Sequence, residues 1–227
     1  MLRNIQLTYN LPQSTDLSVN LKHEVEVILG FIDQNITSFP SYYKDNCDVN
    51  KENWISNLLV RHLNLCNIEQ GGFLPFEFSK NPPQAQSGKE TDIGVYAQTR
   101  NGKPITIIEF EAKRFSETSN NKEYVCGNNR GGIERFKRGE HASHLSICGM
   151  FAYVQSRTSD EWVQKVNTWI SELAQKNNIP EIDWSSLDEK LSNISQIPPN
   201  VDLHKSTNKR IMPLNSIEIY HYFINLN

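Results

Sequence analysis

The chain has no long hydrophobic run, and none approaches the roughly 18 apolar residues that a membrane-spanning helix requires. Its first residues, MLRNIQLTYNLPQS, lack the apolar core and the small-residue cleavage site of a secretory signal. We therefore expect a cytoplasmic protein that makes no membrane contact. Only four cysteines are present, far apart and without a CxxC pair, so the sequence indicates neither a zinc site nor a disulfide framework.

Several common catalytic motifs are also missing. There is no GxSxG nucleophile elbow, no GxxxxGK[ST] phosphate-binding loop and no HExxH pair, which argues against a serine hydrolase, a P-loop NTPase and a zinc hydrolase. The net charge of −3 argues weakly against a protein that coats nucleic acid through general positive charge. With 37% hydrophobic residues and no low-complexity linker, residues 1–227 are expected to form one globular domain.

The segment Thr91–Phe115, TDIGVYAQTRNGKPITIIEFEAKRF, carries the most information about function. Two apolar-rich runs flank Asn101-Gly102, a dipeptide typical of a β-hairpin turn, so strands are predicted at 92–98 and 105–113. Successive residues of a strand point to opposite faces, and Glu109, Glu111 and Lys113 therefore share one face.

A divalent metal is a good reason to place acids and a lysine together on a half-buried strand. Carboxylate oxygens bind hard cations such as Mg²⁺, and a lysine beside them can orient water or stabilise developing charge. Asp92 at the start of the preceding strand is predicted to complete the set with Glu111 and Lys113.

Other elements follow from hydrophobic periodicity and from Gly and Pro positions. Residues 37–50, with Pro40, are interpreted as a loop. Helices are predicted at 21–36, 51–64, 133–144 and 159–176 and around Leu187–Ile194, and further strands at 71–79, 145–155, 201–210 and 216–226. The helix at 133–144 joins two strands and is expected to make them parallel.

This order of helix, three strands, helix and strand, with acids on the second and third strands, resembles the PD-(D/E)xK nuclease superfamily. Glu52 on the helix, Asp92, and Glu111-Ala112-Lys113 carry the resemblance, while Thr91 stands where a proline is often found. It covers a core of about 51–155. The resemblance implies an α/β restriction-endonuclease-like fold with a mixed central sheet flanked by helices, extended at both termini.

The same resemblance implies function. Glu52, Asp92, Glu111 and Lys113 would be catalytic, with Asp92 and Glu111 holding Mg²⁺ or, as a substitute, Mn²⁺. The expected activity is hydrolysis of phosphodiester bonds, in DNA rather than RNA, by a nuclease or endonuclease of restriction or anti-phage (antiviral) defence. A regulatory partner subunit and a homodimer are further expectations. The alternative is a catalytically degenerate module that binds nucleic acid or a partner protein.

Each residue also has a simpler interpretation. Asp92 alone fits a turn at the start of a strand, and Glu111 with Lys113 alone fits a solvated strand edge. Glu52 alone fits favourable charge in the first turn of a helix. For Glu109, an exposed charge beside the site is favoured over a supporting role within it.

A basic cluster follows the third strand, in RGGIERFKRGEH from Arg130 to His141. The glycines would open a helix whose free N–H groups suit a phosphate, and basic side chains would add contacts that do not depend on sequence. The predicted nucleic-acid-binding residues are Arg135, Lys137, Arg138 and His141. The alternative is an ordinary solvated helix face.

Overall fold

The computed structural model describes residues 17–72, 75–81, 90–97, 105–127, 131–176, 181–185, 187, 189–197 and 199–227. The helices are α1 (Leu17–Asn35), α2 (Phe39–Asn46), α3 (Glu52–Glu69), α4 (Gly132–Lys137) and α5 (Ser159–Lys176). The strands are β1 (Phe76–Lys80), β2 (Ile93–Ala97), β3 (Ile105–Phe115), β4 (Ile147–Val154), β5 (Ser192–Ile197), β6 (Val201–Asn208) and β7 (Ile217–Asn225). Short 3-10 helices lie at Ile36–Ser38 and Asn121–Tyr124.

The strands of the described residues form one mixed sheet in the order β1-β2-β3-β4-β7-β6-β5. Strands β3, β4 and β7 run parallel at its centre. The outer strands pair antiparallel on both sides. The parallel pairing of β3 with β4 through α4 confirms the prediction from the strand–helix–strand pattern. The predicted α/β class with a mixed sheet and flanking helices is confirmed at this level.

Helices cover both faces of the sheet. On one face, α1, α2 and α3 share a hydrophobic cluster with Phe110 of β3 and Phe151 of β4. On the other face, Trp162 of α5 stacks on Phe115 at the end of β3, with 4.7 Å between ring centroids. Strand β4 is buried on both faces, as its continuous apolar run predicts. The strand that carries the charged residues is thus held between two apolar layers.

The helices predicted at 21–36, 51–64 and 159–176 are confirmed as α1, α3 and α5. The loop predicted at 37–50 is wrong in part, because it contains α2 with Pro40 in its first turn. Proline is tolerated there, since the first N–H groups of a helix have no partner within the helix. Within the described residues, no helix combines the length and apolar character needed to cross a membrane.

The C-terminal part also differs in one element. The short helix predicted around Leu187–Ile194 is wrong where it overlaps β5, which pairs antiparallel with β6. The polar sequence of β5, SNISQI, has no clear alternation, and the strand forms at the sheet edge through its backbone pairing with β6. The two final strands are confirmed as β6 and β7.

Candidate functional site

The pairing of β2 with β3 brings the predicted acids together. Ile93 lies opposite Phe110 in an antiparallel register, so Asp92, one residue earlier, lies across from Glu111. Lys113 follows two residues later on β3 and faces the same side as Glu111. The Asn101-Gly102 turn predicted between these strands lies outside the described residues.

Glu52 reaches the same place from a different layer. It is the first residue of α3. Its Oε2 accepts a hydrogen bond of 2.9 Å from the backbone N–H of Arg114, which fixes the helix start to the end of β3. Its Oε1 lies 3.2 Å from the Lys113 Nζ. From the sequence alone, Glu52 is equally explained as a favourable charge in the first turn of a helix. The structure shows that its carboxylate also contacts β3.

The ammonium group of Lys113 lies at the centre of the cluster. Its Nζ donates to the carbonyl oxygen of Ala112 at 2.8 Å and lies 3.1 Å from Oε1 of Glu111. Oε1 of Glu52 and Oδ2 of Asp92 are 3.2 and 3.9 Å away. Burial alone would lower the pKa of Lys113, but the charges of these carboxylates outweigh it and raise that pKa above its ordinary value. Lys113 therefore stays protonated and places one positive charge among three acids.

A backbone contact fixes the position of Asp92, whereas the neighbouring charge of Glu111 disfavours its ionised form. Its Oδ2 accepts the N–H of Ala112 at 2.7 Å, which aligns the carboxylate with β3. Burial and the charge of Glu111 raise the pKa of Asp92 to about 6, although Lys113 acts in the opposite direction. Such a raised pKa means that the ionised form of Asp92 is destabilised, and a further cation beside it would stabilise that form.

Glu111 is the most enclosed of the acids, with no exposed surface. Oε1 accepts a 2.7 Å hydrogen bond from Arg135, and Oε2 lies 3.1 Å from Nδ1 of His141. Neither atom of that second contact has a well-aligned hydrogen bond within the described residues. Burial alone would raise the pKa of Glu111, but His141, Lys113 and Arg135 lower it to about 2. Glu111 is therefore ionised throughout the physiological pH range.

The basic cluster after β3 serves this carboxylate more than it presents a basic surface. Arg135 and His141 both contact Glu111. The predicted role of Lys137 in phosphate contact is wrong, because Lys137 has no exposed surface, pairs with Glu189 and lies 4.7 Å from the centre of the Trp184 ring. Burial lowers the pKa of Lys137 despite that acidic partner.

Arg138 and Glu109 also have partners that the sequence does not show. Arg138 contacts Glu134 at 2.9 Å and Glu181 at 3.6 Å, and its side chain is 12% exposed. Glu109 is buried and accepts the backbone N–H of Ala142 at 2.9 Å, so the prediction of an exposed charge beside the site is wrong. The β3–β4 connection thus fixes both Glu109 and Glu111.

The glycine pair that precedes this cluster is explained by packing. A Cβ on Gly131 would lie 2.5 Å from the backbone nitrogen of Cys126, and one on Gly132 would lie 2.4 Å from Cε of Met150. The helix predicted at 133–144 is α4, which has only six residues. The glycines allow this short helix to approach the strands closely, and no phosphate is needed to account for them.

An open cleft of about 300 Å³ borders the cluster. Glu52 and Lys113 form one wall, and the segment after β3 supplies Ser119, Asn120 and Asn121. The lining is polar, and the cleft gives a ligand access to Lys113 while Glu111 stays buried behind it. The site is therefore reached from the Glu52 and Lys113 side.

The carboxylates fit a magnesium ion in number and in chemistry. In the part of the chain that the structure describes, no group of three or more His, Cys, Asp or Glu side chains is arranged as a metal centre. Magnesium is commonly bound by one or two carboxylates, with water and substrate phosphate as its other ligands. Asp92, with its raised pKa, and Oε1 of Glu111, both beside Lys113, offer such oxygens.

Comparison with known proteins leaves the family open: no family model, no curated protein and no solved structure matches the chain. The function is therefore inferred from the site. Sequence reasoning missed the backbone of Ala112, whose N–H binds Asp92 and whose carbonyl accepts from Lys113. No side-chain signal marks a backbone group, so only the strand register reveals this contribution.

Proposed function

We propose that this protein is a Mg²⁺-dependent nuclease that hydrolyses phosphodiester bonds. The observation that carries the proposal is the convergence of Glu52, Asp92, Glu111 and Lys113 from α3, the start of β2, and β3. The order α3-β1-β2-β3-α4-β4 supports the resemblance to restriction-endonuclease-like folds. DNA as the substrate, a homodimer, a regulatory subunit and a role in defence stay predictions from that resemblance.

In such a reaction water attacks phosphorus while the bond from phosphorus to the leaving sugar oxygen breaks, and negative charge grows on the phosphate oxygens and on the leaving oxygen. Asp92 and Glu111 would hold Mg²⁺, which supplies Lewis acidity and a bound water of lowered pKa. Lys113 is the positive group of the cluster that also lines the open cleft, so it is suited to face the phosphate and stabilise its charge. Glu52, on the same wall, is suited to orient the attacking water.

The surrounding residues keep these groups in the states that the reaction needs. Arg135 and His141 contact Glu111, and with Lys113 they hold it ionised. The backbone N–H groups of Ala112 and Arg114 fix Asp92 and Glu52. Rigid positioning of this kind accounts for a large share of enzymatic rate enhancement.

The charge arrangement favours an enzyme over a degenerate binding module. Keeping Asp92 ionised beside Glu111 is unfavourable for folding, as the raised pKa of Asp92 indicates, and such a cost is typical of functional sites. A binding module gains nothing from an ionised acid shielded behind Lys113.

The proposal is tested by incubating the protein with plasmid DNA, linear DNA and RNA, with Mg²⁺ and with EDTA. We expect Mg²⁺-dependent cleavage that Lys113→Met lowers by at least ~100-fold, because Lys113 is the cluster's positive group on the open cleft. Lys205→Met is the matched control, since Lys205 also forms an ion pair, 2.8 Å from Glu218, away from the site. Equal cleavage by both variants, or no cleavage of any nucleic acid, would refute the proposal.

A further inference from the structure

Lys113 holds a position that a metal ion would also favour. Its Nζ lies within 3.2 Å of a carbonyl oxygen and of two carboxylate oxygens, from Ala112, Glu111 and Glu52. Oδ2 of Asp92 is 3.9 Å away. An arrangement of carboxylate and carbonyl oxygens around one point is also the ligand set that a hard divalent cation takes.

A divalent ion beside these oxygens would repel the ammonium group of Lys113. Oε1 of Glu111 already accepts from Arg135 as well as lying 3.1 Å from Lys113. A divalent ion bound by Asp92 and Glu111 would lie within a few ångströms of the ammonium group, and like charges that close to each other repel strongly.

We propose that Lys113 and the divalent metal compete for the same carboxylate oxygens, so that metal binding moves the Lys113 ammonium group towards the open cleft. This inference rests on the proposed function, because it takes Asp92 and Glu111 as the metal ligands. Lys113 acts as an internal counter-ion that balances the acids until a divalent ion replaces it.

The cleft gives the displaced ammonium group a place to go. Lys113 already lines it, with 16% of its side chain exposed. Ser119, Asn120 and Asn121 also line the cleft. A lysine stem has four flexible carbons, so the group can swing while the strand stays fixed. The displaced charge would then meet a phosphate that enters the cleft.

The competition is tested by calorimetric titration of Mn²⁺ into the wild type, Lys113→Met and Arg135→Met, without nucleic acid. Arg135→Met is the matched control, because it also removes one positive charge beside Oε1 of Glu111, from which Nη1 of Arg135 lies 2.7 Å away. Competition predicts that Lys113→Met binds Mn²⁺ at least ~10-fold more tightly than the wild type, with a smaller gain or a loss for Arg135→Met.

Other outcomes of this titration would refute either the competition alone or the nuclease proposal as well. Equal gains in both variants would mean that general charge alone acts, and weaker binding by Lys113→Met would mean that the lysine supports the metal; either result refutes the competition and leaves the nuclease proposal standing. Absence of Mn²⁺ binding in all three folded proteins, as judged by circular dichroism, would refute both.

A measurement on the wild type alone avoids any folding defect of the variant. Acetylation of lysines by acetic anhydride, followed by mass spectrometry, reports how accessible each ammonium group is. Saturating Mg²⁺ is expected to raise the acetylation rate of Lys113 severalfold and leave Lys205, in its ion pair with Glu218, unchanged. An unchanged or lower rate at Lys113 would overturn the displacement.

Discussion

Asp92→Asn is expected to stabilise the fold at neutral pH while it removes activity. Asparagine keeps the shape of the side chain and an oxygen for the Ala112 N–H, which donates at 2.7 Å, but removes the charge. The pKa of Asp92 is about 6, against 3.8 ordinarily. At about 1.36 kcal/mol for each pH unit, that difference corresponds to ~3 kcal/mol of destabilisation when the carboxylate is ionised.

The sign follows from proton linkage. The folded-state pKa lies above the unfolded one, so the folded protein binds the proton more tightly, and ionisation of Asp92 lowers stability as pH rises from about 4 to about 6. The gain from Asp92→Asn should therefore be complete above pH 7 and absent below pH 4. At 2–4 °C for each kcal/mol in a chain of this size, the melting temperature at pH 8 should rise by roughly 6–12 °C.

Urea unfolding followed by circular dichroism at pH 4 and pH 8, without divalent ions, measures the effect. A gain of the same size at both pH values would show that it does not come from ionisation. A loss of stability at pH 8 would contradict the raised pKa. Added Mg²⁺ should stabilise the wild type and leave Asp92→Asn unchanged, because the variant lacks one of the two proposed metal ligands.

Three further predictions concern neighbouring groups. Glu111→Gln should destabilise the fold by ~3 kcal/mol at pH 7, because the pKa of Glu111 is lowered from 4.5 to about 2; the penalty should fade in urea unfolding as pH drops from 4.5 towards 2. Lys137→Met should leave Glu189 buried without the ammonium group that pairs with it and cost ~3–5 kcal/mol in urea unfolding, with unchanged DNA affinity for the folded fraction by fluorescence anisotropy. Gly131→Ala should lower the melting temperature, because its Cβ would lie 2.5 Å from the backbone nitrogen of Cys126, and a gain of ~1 kcal/mol would refute this packing.

Local patterns predicted the strand pair and the grouping of its acids well. The alternation in EFEAK places Glu109, Glu111 and Lys113 on one face, and the pairing of β2 with β3 puts Asp92 opposite Glu111. These features depend on neighbours within about twenty residues, where periodicity and turn signals are informative. The apolar β4 was equally clear, because a strand buried on both faces needs a continuous hydrophobic run.

The predictions for other residues are wrong where the partner lies far away in the sequence. Lys137 belongs to a basic stretch that suggests a surface, but it is buried because Glu189, which is 52 positions away, supplies its counter-charge. Glu109 is buried because the backbone N–H of Ala142 reaches it after a turn that no motif marks. Such partners arise only when the sheet has assembled, so composition and periodicity do not reveal them.

The loop prediction for the α2 segment is wrong for a local reason instead. In the sequence Pro40 favours a loop, but at the start of a helix proline removes no intrahelical hydrogen bond. Phe39, Pro40 and Tyr43 are buried, and this packing stabilises a helix of mixed polarity. Other elements of the fold supply the apolar surface against which α2 packs, so the sequence of this segment alone does not predict a buried helix.

Cleavage of supercoiled plasmid by the wild type and by Glu111→Gln, with Mg²⁺ and with EDTA, tests the proposed nuclease most directly. We expect nicked or linear product only from the wild type and only with Mg²⁺. The folded state of the variant is checked by circular dichroism at the assay temperature, since Glu111 also balances Lys113 and Arg135. Cleavage that persists in EDTA, or in folded Glu111→Gln, would contradict a metal-dependent site at the end of β3.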